Sequence, residues 1–169
     1  MNYYSTNKQS PVVGFKDAAI RGQAPDKGLY FPEKINHLPA SFFREIEKLS
    51  KEEIAYQVIA PYIGDSIPVN ELQRIVSETV NFDFPLVKVN ESVYSLELFH
   101  GPTLAFKDVG ARFMSRCLGY FSKERTGKVY VLVATSGDTG GAVANGFYGV
   151  DGVEVIILYP SGKVSSVQE

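Results

Sequence analysis

The chain lacks the features that mark several classes of protein. A single cysteine, Cys117, excludes an internal disulfide framework, and with only two scattered histidines it does not predict a metal site. No apolar run has the length of a membrane span, and the first residues, MNYYS, do not resemble a signal peptide. The net charge is only −2, without a block of like charge. We therefore expect a cytoplasmic protein that binds neither membranes nor nucleic acid.

The first half of the chain predicts a small helix-rich domain. With 169 residues, the chain has room for one sizeable core, or for a small domain and part of another. Ser50 and Glu53 have the spacing of a capping box that begins a helix, which then meets Pro61. A further helix is predicted with Asn70 as its cap and with a buried apolar face. We assign residues 1–85 to an N-terminal α-rich (α+β) domain.

The pattern changes in residues 86–169. Residues 86–89 and 93–98 alternate as half-buried strands do. The helix that follows Lys107 is predicted to run to about Tyr120, with Asp108, Arg112 and Ser115 facing away from its apolar stripe. That stripe consists of Val109, Phe113, Cys117 and Phe121.

A βαβ unit follows this helix. Residues 128–134 and 153–159 are almost continuously apolar, which is typical of strands buried on both faces of a parallel sheet. A glycine-rich turn and a helix lie between them, so a right-handed crossover is expected. The predicted fold class is therefore α/β, with residues 86–169 forming the first part of a domain built on a parallel sheet.

Lys107 is the strongest candidate for chemistry. It lies at a junction between a loop and a helix, and Leu104, Phe106 and Val109 are predicted to surround it with apolar side chains. Such surroundings disfavour an ammonium ion, and a neutral amine can condense with a carbonyl cofactor. Taken alone, a lysine at such a junction would more often be solvated.

The turn at residues 135–141 is the second candidate site. It lies at the carboxyl end of a buried strand and at the amino end of a helix, where α/β proteins bind anions. Gly137, Gly140 and Gly141 would allow close approach of the backbone, and Ser136 and Thr139 would add hydroxyl donors. A phosphate or a carboxylate is the expected ligand. A simple capped turn is the alternative, and the spacing matches neither nucleotide-binding glycine motif.

Together, these segments resemble one family over essentially the whole chain. Residues 97–108 (ELFHGPTLAFKD) are similar to the cofactor-lysine motif of threonine synthases, and residues 134–140 (ATSGDTG) to their substrate loop. Residues 157–165 (ILYPSGKVS), 28–32 (GLYFP) and 62–65 (YIGD) also fit. The resemblance is to the bacterial and fungal branch, which has an added N-terminal domain.

The resemblance implies chemistry that depends on pyridoxal 5'-phosphate, on a fold like that of the tryptophan synthase β subunit. The substrates would be phosphohomoserine (O-phospho-L-homoserine) and water, and the products L-threonine and phosphate. Lys107 would hold the cofactor, while Ser136, Gly137, Asp138 and Thr139 would cradle the carboxylate of the substrate. Asp138 stands where relatives on this fold often carry an asparagine that contacts the cofactor. His100 is interpreted as a residue of a buried turn. The oligomeric state is not predicted.

Threonine synthases are longer than this chain, so we expect an N-terminal fragment that is inactive alone. One alternative is a related phospho-lyase or a serine/threonine dehydratase with the same cofactor. Another is a non-catalytic binding module that retains the fold.

Overall fold

The computed structural model describes residues 1–124, 126–135 and 137–165. The chain divides into two compact units, one comprising Met1–Ser77 and the other beginning at Glu78. No helix among the described residues is both long and apolar enough to cross a membrane.

The first unit contains a small antiparallel sheet. Its strands are β1 (Asn2–Ser5), β2 (Val13–Gly14) and β3 (Tyr30–Pro32), arranged in the order β2-β1-β3. The carboxylate of Asp26 fixes the loops around this sheet, because it accepts hydrogen bonds from the Ser5 hydroxyl at 2.6 Å and from the Gln9 N–H at 2.9 Å.

The helices of the first unit begin and end where local chemistry directs them. Helix α1 (Phe15–Arg21) is followed by α2 (Ala40–Glu45), a 3₁₀ turn (Ile46–Lys48), α3 (Lys51–Ile63) and a second 3₁₀ turn (Gly64–Ser66). The predicted capping box is present, since the Ser50 hydroxyl accepts from the Glu53 N–H and the Glu53 carboxylate accepts from the Ser50 N–H. Helix α3 passes through Pro61 and stops at Gly64, whose φ of 56° suits glycine.

Helix α4 (Val69–Thr79) begins just before the predicted cap, Asn70. Its predicted apolar face is confirmed, because Leu72, Ile75 and Val76 are all buried. The periodicity of the apolar residues thus identified the face correctly, while the start of the helix was misplaced: a cap at Asn70 puts the first helical residue at Glu71, two positions after the observed Val69.

The second unit opens with a two-stranded antiparallel hairpin, β4 (Leu86–Lys88) and β5 (Tyr94–Leu96). These strands were expected to be half-buried, but every residue in both is exposed. The alternation of side chains was correct for strands, but no described element covers either face of the hairpin.

The βαβ unit is formed as predicted, and the α/β fold class is confirmed. Strand β6 (Val129–Ala134) leads through helix α6 (Asp138–Phe147) to β7 (Val153–Leu158), and the strands pair in parallel. One face of this sheet is half-buried. The other exposes four large apolar side chains, although burial on both faces was expected, and we call it the bare face: Tyr130, Leu132, Ile156 and Leu158.

Helix α5 (Asp108–Ser122) packs against α6 through small and polar residues. Asp108 and Ser115 are buried, although both were predicted to face away from the core. A Cβ on Gly146 would lie 3.1 Å from the Ala111 backbone, so glycine permits the close approach of the two helices. Of the predicted apolar stripe, Cys117 and Phe121 are buried, whereas Val109 and Phe113 are only half-buried.

Candidate functional site

Lys107 lies at the first turn of α5. Its backbone is helical, with φ −70° and ψ −13°, and its carbonyl accepts a hydrogen bond from the Ala111 N–H at 3.0 Å. Its Nζ lies 4.9 Å from the centroid of the Phe106 ring. Within the described part of the chain, no carboxylate forms an ion pair with this amine. The backbone of Lys107 is therefore fixed, while its amine has no anionic partner among these residues.

The apolar enclosure predicted for Lys107 is not formed by its neighbours. Leu104 is 74% exposed and Phe106 is 62% exposed, and Val109 is only half-buried. The prediction rested on adjacency in the sequence, but the turn directs the Leu104 and Phe106 side chains into solvent. The ring of Phe106 remains in contact with the amine through one face.

The turn before Lys107 is held by Asp108. The Oδ2 atom of Asp108 accepts from the Thr103 N–H at 3.0 Å, and Oδ1 accepts from the Thr103 hydroxyl at 2.5 Å. The Asp108 side chain is only 1% exposed. Sequence reasoning missed this role, because an acidic residue in the first turn of a helix is explained equally well by the helix dipole.

His100 occupies an exposed position and not the buried turn predicted for it. Its Nε2 lies 2.7 Å from Oε2 of Glu97, and its ring stacks on Phe99 with centroids 4.8 Å apart. These contacts orient the imidazole on the segment that leads into Gly101. They form a local pair of residues three apart in sequence, and solvent reaches both partners.

The glycine-rich turn has the strand-to-helix geometry predicted for it. Gly137 has a φ of 152°, which side-chain-bearing residues rarely adopt. The Thr135 hydroxyl accepts from the Gly137 N–H at 3.1 Å and from the Gly140 N–H at 3.2 Å. Two amides that were candidates for binding an anion are thus engaged by Thr135, so an anion would have to compete with that hydroxyl or use other donors.

The three predicted glycines have different roles. A Cβ on Gly140 would lie 2.6 Å from Cγ2 of Thr135, so this glycine permits internal packing and not the approach of a ligand. A Cβ on Gly141 would meet no atom within 4 Å, and Gly141 borders an open cavity of about 140 Å³. The cavity is too small for a cofactor and a substrate together. Its lining consists of Thr135, Gly137, Gly140, Gly141, Ala144, Ile157, Tyr159 and Val164.

The remaining predicted substrate residues lie at the start of α6. Asp138 is exposed in the first turn, where the helix dipole favours its charge, and Thr139 is half-buried. Ser136 lies outside the described residues. No hydrogen bond or ion pair joins Lys107 to the described residues of this turn. The two candidate segments thus belong to one unit and to two helices that pack together.

Cys117 has the structural role that the sequence suggested. It is 1% exposed on α5, and burial raises the pKa of its thiol to about 12. A thiol held in its protonated form in a core is not a nucleophile.

The fold and the site define an α/β protein with a glycine-rich turn after a parallel strand and a lysine at the start of an adjacent helix. A family model described as "Threonine synthase N terminus" matches residues 2–80. Threonine synthase from Haemophilus influenzae is 43% identical over 169 residues, covering all of this chain and 39% of the relative. The enzyme from Escherichia coli is 40% identical with the same coverage.

Solved structures lead to the same family. A threonine synthase from Brucella melitensis with bound pyridoxal phosphate matches with a TM-score of 0.92 and 41% identity, covering 99% of this chain and 37% of that one. Threonine synthase from yeast matches with a TM-score of 0.89 and 35% identity, again covering 99% and 37%. The chain is thus similar, over essentially its whole length, to the N-terminal part of threonine synthases. It spans about two fifths of the length of the curated relatives it matches.

Proposed function

We propose that the protein containing this chain is a threonine synthase, a carbon–oxygen lyase that converts phosphohomoserine and water to L-threonine and phosphate. The observation that carries the proposal is the match to the Brucella enzyme with bound pyridoxal phosphate, at 41% identity over 99% of this chain. Because the chain covers only 37% of that structure, the activity belongs to a longer protein. The fragment by itself would have no turnover.

Lys107 would hold the pyridoxal 5'-phosphate cofactor through its amine. The local chemistry fits, because the amine has no carboxylate partner among the described residues and lies on an aromatic face. When bound, this cofactor supplies an electron sink for carbanion chemistry. The contribution of Lys107 is to place an amine at a fixed helix start and, once released, to move protons at the substrate carbons.

The turn of Ser136, Gly137, Asp138 and Thr139 would bind the carboxylate of the substrate. Support comes from the amino end of α6, where the helix dipole and the Thr139 hydroxyl favour an anion. Asp138 would also lie beside the cofactor, and its own negative charge would disfavour a second anion unless the side chain is turned aside.

The fragment would contribute two domains to the enzyme. Residues 1–85 would form the N-terminal domain and residues 86–169 the first part of the catalytic domain. The division into two compact units supports two domains, although it falls after Ser77 and not after residue 85. The bare face of the sheet and the open surroundings of Lys107 would be covered by the remaining three fifths of the enzyme. We place the enzyme in the cytoplasm, with a small-molecule substrate.

The test uses the full-length protein loaded with pyridoxal phosphate. Borohydride reduction and peptide mapping should place the pyridoxyl group on Lys107, and the protein should release threonine and phosphate from phosphohomoserine. Lys107→Ala should abolish both results. Lys123→Ala, at an exposed lysine following α5, is the matched control and should leave both unchanged.

Two other outcomes would replace the proposal. Release of a keto acid from serine or threonine, with no threonine formed from phosphohomoserine, would identify a dehydratase. Failure of the full-length protein to take up the cofactor at any lysine would identify a non-catalytic module.

A further inference from the structure

We propose that Asp108 is a positioning residue that fixes Lys107 for covalent attachment of the cofactor, acting through Thr103. The proposal rests on the proposed function, because it assigns a role relative to the amine that binds pyridoxal phosphate. Asp108 itself would not contact the reacting atoms. It determines where the backbone beside it places the Lys107 side chain.

The first observation is that the Asp108 carboxylate joins both ends of the turn. It is 1% exposed at the start of α5 and accepts two hydrogen bonds from Thr103, at 3.0 Å from the N–H and at 2.5 Å from the hydroxyl. Hydrogen bonds to a charged acceptor are stronger than neutral ones, and burial excludes the water that would compete with them.

The second observation is that the turn is shaped around this carboxylate. A Cβ on Gly101 would lie 2.5 Å from Oδ2 of Asp108 and 3.0 Å from its Cβ and Cγ. The backbone of Gly101 therefore packs directly on the side chain of Asp108. A residue with a side chain could occupy position 101 only if the carboxylate moved away from Thr103.

The third observation is that the turn holds an unfavourable backbone conformation. Leu104 has a φ of 56°, in the left-handed region that non-glycine residues rarely adopt, and its side chain is 74% exposed. Its N–H donates to the Gly101 carbonyl at 3.1 Å. An exposed side chain gains little from packing, so the bonds that close the turn must maintain this conformation.

These constraints converge on Lys107. Its carbonyl is fixed by Ala111 in the helix, and the next residue is fixed to Thr103. Lys107 therefore lies inside a turn that is closed by hydrogen bonds between Thr103 before it and Asp108 after it, which restricts the direction of its Cα–Cβ bond. A long, flexible side chain begins from a fixed point, which reduces the number of conformations that compete with the productive one.

The experiment disrupts the hydrogen bonds between Thr103 and Asp108 and leaves Lys107 in place. In full-length protein, Thr103→Val keeps the shape of the side chain but loses its hydroxyl donor. Asp108→Asn loses the charge and turns an amide donor towards one of the two Thr103 donors. Thr103→Ser retains the hydroxyl and should keep both hydrogen bonds to Asp108. Asp151→Asn, at an exposed aspartate of the same unit, is the control.

The readout is the initial rate of pyridoxyl labelling at Lys107, measured by borohydride reduction and peptide mapping and normalised to folded protein by circular dichroism. We expect Thr103→Val and Asp108→Asn to slow labelling about tenfold, and Thr103→Ser and Asp151→Asn to stay within about twofold. In steady-state assays the loss should appear in kcat more than in KM. Asp108→Asn is more prone to misfold, so Thr103→Val carries the test in that case.

Labelling at the wild-type rate in Thr103→Val would overturn the inference and leave the proposed function intact. If the unsubstituted protein itself carries no label on Lys107, the proposed function fails and the positioning role fails with it.

Discussion

The two units of this chain stabilise their structures in different ways. The first unit closes its loops with a polar centre, Asp26, and begins α3 with a complete capping box. The second unit relies on close helix packing and leaves one face of its parallel sheet and both faces of its hairpin exposed. Most of the exposed large apolar side chains lie in this second unit.

The contrast shows which unit forms its stabilising contacts from its own residues and which unit leaves apolar surface uncovered. Asp26 receives its hydrogen bonds from residues within 21 positions in sequence, so the loops of the first unit need no further chain to hold them. Parallel sheets are normally covered on both faces, and the second unit supplies a cover for only one. The part that carries the candidate chemistry is also the part left open.

Truncating a core side chain should give the largest difference between the two units, because each substitution should destabilise only the unit that contains it. Phe121→Ala in the second unit should cost about 3–5 kcal/mol, because Phe121 is 1% exposed and its removal leaves a cavity. We expect hydrogen exchange to accelerate in the second unit while the amides of residues 1–77 keep their protection. Ile63→Ala, at an equally buried residue of the first unit, should give the reverse pattern. Simultaneous loss of protection in both units would show a single cooperative structure.

The next test compares the stability contributed by a hydrogen bond between α5 and α6 with that contributed by an ion pair on the surface. Arg116 donates to the Gly146 carbonyl at 3.0 Å, and Arg116→Met would leave that acceptor unpaired, at a cost of about 1–3 kcal/mol. Lys128→Met breaks a 2.8 Å pair with Glu154 in which both partners are largely exposed, so solvent screens the pair and the loss of stability should be clearly smaller. Urea unfolding measures both. Equal losses would remove the distinction between packing and surface contacts.

Acid should affect the first unit through Asp26. Burial alone would raise the pKa of Asp26, but hydrogen bonds from Ser5, Gly28, Gln9 and Ser10 outweigh it and lower the pKa to about 2. A carboxyl with a lowered folded-state pKa stabilises the fold fully above its unfolded value near 3.8, and this contribution is lost as the pH falls towards 2.

Asp26→Asn should therefore reduce stability at pH 7 and flatten its pH dependence between about pH 4 and 2. Urea unfolding at each pH, followed by NMR signals of residues 1–77, measures the effect. Asp65→Asn, at an exposed aspartate of the same unit, is the control. A pH profile unchanged by Asp26→Asn would show that the polar centre does not stabilise the loops.

The smallest expected effect compares two left-handed residues. Leu104→Gly and Lys27→Gly each relieve a positive φ, of 56° and 67° respectively. Each should raise the free energy of unfolding by about 0.5–1 kcal/mol, since the steric relief exceeds the added freedom of the unfolded chain. Urea midpoints provide the measurement. Destabilisation by Leu104→Gly alone would mean that the Leu104 side chain packs in solution.

Local patterns in the sequence predicted much of the fold. The capping box at Ser50, the apolar face of α4 and the βαβ unit all follow from signals within a few residues of one another. Burial was harder to predict, because it depends on which elements cover a strand. The strands β4 and β5 alternate as half-buried strands do, yet both are exposed.

The candidate site was predicted in position and only partly in its contacts. Lys107 and the glycine turn lie at helix starts, as expected. The roles of Asp108 and Thr135 were missed, because each depends on hydrogen bonds to a loop whose shape the sequence does not reveal. The spacing of Gly101, Thr103 and Asp108 is the signal that could have identified the role of Asp108. The threonine lies two residues after a turn glycine, and the aspartate follows it five residues later at the start of a helix.

The contact between Gly140 and Thr135 couples the substitutions that these two positions can accept. A methyl group at position 140 would collide with Cγ2 of Thr135, but serine at 135 would remove that atom and keep the oxygen that accepts two amide protons. Ile157, with Cγ2 at 3.3 Å from the same point, would need to yield by only a few tenths of an ångström. Among relatives, alanine at position 140 should therefore occur together with serine at position 135.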